Sequence, residues 1–165
     1  MMKRRWVLLL GILNVLILIS CAAPIAQKSI VTPNAKFNIL IASDGSEFKN
    51  VIHNRLIERY KDQCSINNIA LKEINKVDSE KYDVIIVMDS CMAMSGFNLR
   101  VKKFLDNVST NENLVLVMTA GDPDWQFNYN GVDAITSASV MENEEKVFIL
   151  LTMQIDHIIA EIRNK

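Results

Sequence analysis

The sequence predicts an α/β domain with a doubly wound, three-layer architecture and a parallel five-stranded sheet in the order 2-1-3-4-5. One observation is an unbroken apolar stretch at residues 84–88, rich in β-branched side chains, which is typical of a strand buried on both faces. Another is residues 113–118, which are apolar after the first position. Segments with helical periodicity separate such strands, and this alternation favours parallel pairing through right-handed crossovers.

Five segments read as strands. They are residues 37–42, 66–74, 84–88, 113–118 and 132–136. The second of them is weaker than the others, because charged residues interrupt its apolar positions. The strongest lies third, which places it in the middle of the sheet in the predicted order.

The intervening segments read as helices. Phe48, Ile52, Leu56 and Tyr60 recur every four residues, which marks one face of a helix. Residues 75–81 leave room for only about one or two helical turns. Further helices are predicted over residues 97–107 and along the apolar stripe at the C-terminus, formed by Val147, Leu151, Ile155, Ile158 and Ile162.

The first twenty residues have the layout of a secretory signal. Basic residues at positions 3–5 precede an apolar run at 6–19, which is short for a membrane-spanning helix of about 20 residues. The run ends in Leu18-Ile19-Ser20-Cys21, which resembles the lipobox of bacterial lipoproteins. The resemblance implies that the signal is cleaved before Cys21 and that this residue is acylated, so that lipid on Cys21 binds the chain to a membrane.

This organisation divides the chain into a signal peptide at 1–20, a lipidated tether at 21–36 and one folded domain at 37–165. The tether contains two prolines and little periodicity. An uncleaved N-terminal anchor helix with an incidental cysteine is the alternative. Both interpretations place the domain outside the cytoplasmic membrane, in the bacterial cell envelope.

The charge balance argues against nucleic acid as a partner. The full chain carries a net charge of −1, and after removal of the first twenty residues 15 basic and 19 acidic residues remain. Nucleic-acid binding requires a clustered basic surface, and an acidic balance does not supply one.

Three loops are expected to meet at the carboxyl ends of the strands, where open α/β sheets bind ligands. They are residues 43–48, 89–96 and 119–122, and they are rich in small and hydroxyl-bearing residues. The candidate ligand-binding residues in these loops are Ser43, Gly45, Ser46, Ser90, Cys91, Thr119, Gly121 and Asp122.

From residue 37 to the C-terminus the chain resembles the flavodoxin-like superfamily. The resemblance rests on the strand–loop–helix segment around Ser43-Asp44-Gly45-Ser46, on the strand starting at Tyr82-Asp83, on residues 101–106, and on Thr119-Ala120-Gly121-Asp122. It implies that the first loop cradles the phosphate of FMN at a helix N-terminus, that the other two loops hold the flavin ring, and that the protein transfers electrons.

The first loop departs from the flavodoxin pattern. Gly45 stands where threonine is expected, Ser46 where glycine is expected, and Phe48 where the last threonine is expected. Asp44 and Glu47 would also repel a phosphate group. A non-catalytic lipoprotein that binds a ligand or a protein on the same scaffold therefore remains an alternative function.

A second resemblance is to response-regulator receiver domains, through the segment Asp89–Gly96. It implies that Asp89 accepts phosphate, that Asp44 helps to bind magnesium and that Thr119 contacts the phosphoryl group. The lysine expected after the fifth strand is missing from residues 136–139, and an exported domain meets no cytoplasmic kinase. This makes a degenerate receiver the weaker alternative.

Cys91 is the one side chain in the predicted cleft with latent reactivity. A thiol at a helix N-terminus would favour its thiolate, whereas a small buried residue at a tight strand end is the simpler interpretation. Pairing with Cys64 is not expected, because the two residues would lie at opposite edges of the sheet.

Overall fold

The computed structural model of the protein describes residues 29–91, 98–121 and 125–164. Along the chain the strands are β1 (Ser29–Ile30), β2 (Phe37–Ser43), β3 (Cys64–Ala70), β4 (Val84–Ser90), β5 (Leu114–Ala120), β6 (Asn128–Tyr129), β7 (Val132–Asp133) and β8 (Ile135–Ala138). The α-helices are α1 (Glu47–Tyr60), α2 (Leu99–Asn107) and α3 (Glu144–Arg163). The prediction of an α/β domain with a mostly parallel sheet is confirmed.

The central sheet has six strands rather than the five predicted. Its order is β1-β3-β2-β4-β5-β8, and every neighbouring pair is parallel except β1 and β3, which are antiparallel. The additional strand is β1, which falls in the segment predicted to be tether. The strand predicted at 132–136 is also shifted, because Val132 and Asp133 pair with β6 in a separate hairpin and the sheet strand begins only at Ile135.

Helices cover both faces of the sheet. Ile39 and Ile41 of β2 point to the face covered by α1 and α3, and Leu40 and Ala42 point to the face covered by α2. This alternation is repeated in β4 and β5, so both faces of the central strands are buried, which explains their unbroken apolar sequence. The apolar stripe predicted at the C-terminus forms the buried face of α3.

The connection from β3 to β4 contains 3₁₀ helices where a strand end was predicted. Strand β3 ends at Ala70, and Leu71–Lys76 forms a 3₁₀ helix. Its buried residues Leu71 and Ile74 are three positions apart, so in a helix with three residues per turn they face the sheet together. The apolar positions that suggested a strand therefore follow the three-residue repeat of a 3₁₀ helix and not the two-residue repeat of a strand.

The segment before β2 is attached to the domain. The Thr32 hydroxyl donates to the carbonyl of Lys61 at 2.5 Å, the backbone N–H of Lys36 donates to the carbonyl of Gln63 at 3.2 Å, and Ile30 packs against the core. The folded part thus includes residues 29–36 of the predicted tether. The predicted signal peptide, Cys21 and the rest of the tether lie outside the described residues. Within the described parts of the chain, none of the helices is long and apolar enough to cross a membrane.

Candidate functional site

The carboxyl ends of β2, β4 and β5 bring hydroxyl side chains together. Ser43 and Ser90 are the last residues of β2 and β4, and Thr119 is the penultimate residue of β5. Ser90 pairs with Thr119 in the sheet, and their hydroxyl oxygens are 3.1 Å apart. Ser43 and Thr119 are buried, whereas Ser90 is partly exposed. Three of the predicted site residues therefore lie together at the end of the sheet where the parallel strands terminate. We call this end the carboxyl edge, and the end where those strands begin the amino edge.

Lys49 links the first loop to these hydroxyls. It lies in the first turn of α1, where its backbone N–H donates to the N-capping oxygen of Ser46 at 3.2 Å. Its side chain is only 1% exposed, and its ammonium group donates to the Ser90 hydroxyl at 2.6 Å and to the Asp44 carboxylate. The Asp44 carboxylate compensates the buried positive charge of Lys49. Its own side chain is 45% exposed, so only one of the two charges is fully removed from water.

The sequence interpretation missed Lys49. A lysine in an amphipathic helix normally lies on the solvated face. The available signal was its position: Lys49 directly follows Phe48 and lies four residues before His53, and both neighbours belong to the buried face of α1.

Asp89 is the most unusual group at this edge. It is 2% exposed, and Oδ1 accepts a long hydrogen bond of 3.4 Å from the amide nitrogen of Asn98, the N-cap of α2. Oδ2 has no hydrogen-bond partner among the described residues. Burial raises the pKa of the carboxyl group; the Asp44 charge adds to this effect, while the backbone N–H of Ser90 and the charge of Lys49 oppose it.

Asp89→Asn is expected to raise the free energy of unfolding at neutral pH by about 1 kcal/mol, because a buried neutral amide is desolvated at less cost than a carboxylate. The native state binds the Asp89 proton more tightly than the unfolded state, whose pKa is about 4. Stability of the natural chain should therefore fall as pH rises from about 4 through the raised pKa and then level off. Urea denaturation across this pH range measures both effects.

The matched control is Asp62→Asn, because Asp62 is an exposed aspartate at the opposite edge of the sheet. It should leave the pH profile unchanged. A natural-chain profile identical to that of Asp89→Asn would contradict the raised pKa.

Several of the predicted residues are already engaged in local hydrogen bonds. Ser43 and Ser46 already form local hydrogen bonds, since the Ser43 hydroxyl donates to the carbonyl of Asp44 at 2.9 Å and Ser46 caps α1. Cys91 is partly exposed and its backbone N–H donates to the carbonyl of Thr119 at 2.8 Å.

Both predicted glycines that are described lie beside this network. Gly45 lies in the connection between β2 and α1, and a side chain added at Gly121 would meet open space. Asp122 lies outside the described residues. Cys64 begins β3 at the opposite edge from Cys91, and burial raises the pKa of its thiol to about 11.

The residues named by the receiver resemblance also gather at this edge. The Thr119 hydroxyl donates to the backbone carbonyl of Asp89 at 3.3 Å, and Asp44 follows β2 directly. The lysine here comes from α1 rather than from the end of the fifth parallel strand. Within the described residues, no group of three or more His, Cys, Asp or Glu side chains is placed to hold a metal ion.

The ends of β2 and β4 and the start of α1 carry a negative charge balance. The described charged side chains in these segments are Asp44, Glu47 and Asp89 and one cation, Lys49, which is already paired with Asp44. An anionic group approaching this edge would be repelled, whereas a hydrogen-bond donor or a cation could bind Oδ2 of Asp89, which has no partner among the described residues.

A groove of about 450 Å³ lies at the opposite, amino end of the sheet, and three of its polar side chains already bond to one another. Asn67 accepts from the Ser29 hydroxyl at 2.9 Å and donates to the Tyr82 hydroxyl at 2.7 Å. By contrast, the carboxyl edge contains a buried polar atom, Oδ2 of Asp89, for which the described part of the chain supplies no partner.

Comparison of this chain with protein-family models, with curated protein sequences and with solved structures gives no significant match. The geometry of the carboxyl edge is therefore the basis for any functional assignment.

Proposed function

We propose that this chain is a lipoprotein of the bacterial cell envelope, anchored through Cys21, whose flavodoxin-like domain binds a small ligand at the carboxyl edge of its sheet. The observation that carries the proposal is the buried Asp89 carboxylate, whose Oδ2 has no partner among the described residues. Leaving such an oxygen unpaired costs free energy, and a bound ligand that donates to it removes that cost.

The arrangement of the sheet supports the flavodoxin-like part of the proposal. The parallel strands β3-β2-β4-β5-β8 are, in chain order, the second, first, third, fourth and fifth parallel strands, with helices on both faces. In such a sheet the side on which successive strands are added changes between β2 and β4, and ligands bind at this switch point. Asp44 directly follows β2, and Asp89 is the penultimate residue of β4.

The hydrogen bonds favour binding over covalent catalysis. Ser90 has a partly exposed hydroxyl at the edge, and it accepts a hydrogen bond from the Lys49 ammonium group. Because that ammonium group is paired with Asp44, it acts as a donor and does not take a proton from Ser90. The described residues thus offer the serine no base, and the alternative of a non-catalytic binding lipoprotein is the function that fits best.

FMN with electron transfer is the second candidate. The same strand order and the three loops at one edge favour it, and the N-terminus of α1 could bind its phosphate. This candidate requires the phosphate to lie beside the carboxylates of Asp44 and Glu47, which repel it. It therefore predicts a low affinity for FMN that decreases little when salt is added. A donor-bearing or cationic ligand has no such conflict.

We expect native mass spectrometry of the purified chain to detect a bound small molecule that Asp89→Asn loses and Asp62→Asn retains. Loss of one charge-assisted hydrogen bond of about 1.5–3 kcal/mol corresponds to a decrease in affinity of roughly 10- to 100-fold. Because Asp89→Asn should be more stable than the natural chain, unfolding cannot account for the loss.

FMN is tested on the same samples by titration against the chain while flavin fluorescence is recorded. Quenching at micromolar chain, together with flavin absorbance in the purified protein, would establish the redox function. A chain that retains no molecule and does not quench FMN would contradict ligand binding at this edge.

A further inference from the structure

The first described strand shows the direction in which the chain reaches the domain. In β1, Ser29 lies opposite Asn67 and Ile30 lies opposite Ile66 of β3, and the two strands are antiparallel. Since β3 runs toward the carboxyl edge, β1 runs away from it. The first residue of β1 therefore lies at the end of that strand nearer to the candidate site.

The length of the segment between Cys21 and Ser29 limits where a lipid anchor can lie. Eight residue steps span at most about 26–29 Å. Asn67 is the central residue of β3, so Ser29 lies about 10 Å from each edge of the sheet. A segment that continues in the direction of β1 would place Cys21 roughly 16–19 Å beyond the carboxyl edge.

An anchor at the amino edge has much less reach. The chain would have to reverse before Ser29, and a turn uses about four residues. The four remaining steps cover about 13 Å, only a few ångströms more than the distance to that edge. The turn after β1 already occupies this edge, since the N–H of Ala35 donates to the carbonyl of Thr32, and Thr32 is bonded to Lys61.

We propose that the carboxyl edge of the sheet, with the candidate site, faces the phospholipid surface of the membrane. The inference rests on the proposed acylation of Cys21. The site around Asp89 then opens toward the lipid headgroups, so a ligand carried in the headgroup layer meets it directly.

The distribution of exposed apolar side chains supports this orientation independently. Among the described residues, the large exposed apolar side chains are Leu99, Val140, Met141, Ile149, Leu150, Met153 and Val31. Leu99 begins α2, while Val140 and Met141 follow β8, so all three lie at the carboxyl edge. Ile149 and Leu150 lie in the half of α3 nearer to that edge. At the amino edge, Val31 is the one member of this set.

Charges at the carboxyl edge limit the depth of contact. Among the described residues near this edge, Glu47, Glu142 and Glu145 are exposed, and so are the cations Lys72, Arg100 and Lys146. Such an edge suits shallow contact with zwitterionic headgroups, and anionic lipid should not strengthen it.

Lipid quenching of site-specific labels on the full chain, purified as a bacterial host processes it and mixed with phosphatidylcholine vesicles, tests the orientation. Single cysteines for the fluorophore are introduced in a Cys91→Ala background, in which Cys64 is kept because it is fully buried. The first pair, Leu99→Cys and Met141→Cys, reports on the carboxyl edge. The second pair is Asp62→Cys and Asn111→Cys. The latter two positions are exposed and precede β3 and β5, at the amino edge. Nitroxide-labelled lipid should quench the first pair several-fold more strongly than the second.

Equal quenching of both pairs, or stronger quenching of the amino-edge pair, would overturn the proposed orientation. Protection of Leu99→Cys and Met141→Cys together with energy transfer between labelled chains would identify a second copy as the occupant and would also overturn it. A chain that does not partition into vesicles at all would instead contradict the acylation of Cys21, and with it the proposed anchoring.

Discussion

Lys49→Ala is expected to lower the free energy of unfolding by about 3 kcal/mol, the range found when one member of a buried polar pair is removed and a cavity remains. The side chain is 1% exposed and crosses from α1 to the end of β4. Its loss removes the donor to Ser90 and the partner of Asp44. Urea denaturation at neutral pH measures the change.

Two variants separate the contributions. Lys103→Ala replaces an exposed helical lysine, so its effect should stay within about 0.5 kcal/mol. Lys49→Met keeps most of the volume, and Asp44 can turn to water because it is 45% exposed, so this variant should lose less than Lys49→Ala. Equal stability of Lys49→Ala and Lys103→Ala would contradict the buried network.

Cys21→Ala is expected to move nearly all of the protein from the membrane fraction to the soluble fraction of the cell envelope. Several acyl chains anchor a protein durably, whereas a chain without them has no comparable affinity for lipid. Fractionation of cells that express the natural chain or the variant measures the partition, and mass spectrometry of the mature N-terminus reports cleavage and acylation.

Cys91→Ala is the matched control, because it removes a cysteine from the domain and should leave membrane partition unchanged. Continued membrane association of Cys21→Ala, with residues 1–20 still attached, would favour the alternative of an uncleaved anchor helix. That result would overturn the lipoprotein assignment and would leave the proposal of ligand binding at Asp89 unaffected.

Much of the fold was predictable because its strongest elements carry local patterns. The unbroken apolar runs correspond to β4 and β5, and the four-residue spacing from Phe48 corresponds to the buried face of α1. Strand β1 was missed because two residues cannot show periodicity, and Ser29–Ile30 is a strand only through its pairing with β3.

The site was predictable only in outline. The proximity of three hydroxyl residues, Ser43, Ser90 and Thr119, was predictable because each lies at the end of a strand and parallel strands share a carboxyl edge. Lys49 was not predictable in the same way, because its partner Ser90 is 41 positions away and is adjacent only because β2 and β4 are neighbours.

The amino-acid sequence by itself determined the class of fold, the edge of the sheet where polar loops meet, and the expectation of a lipid anchor, because these depend on local periodicity and short motifs. The tertiary structure decided that Lys49 is buried against Asp44 and Ser90, that Asp89 keeps an oxygen without a partner among the described residues, and that β1 runs away from the edge that holds them. Burial and hydrogen-bond partners depend on which strands become neighbours, and distant parts of the chain settle that together.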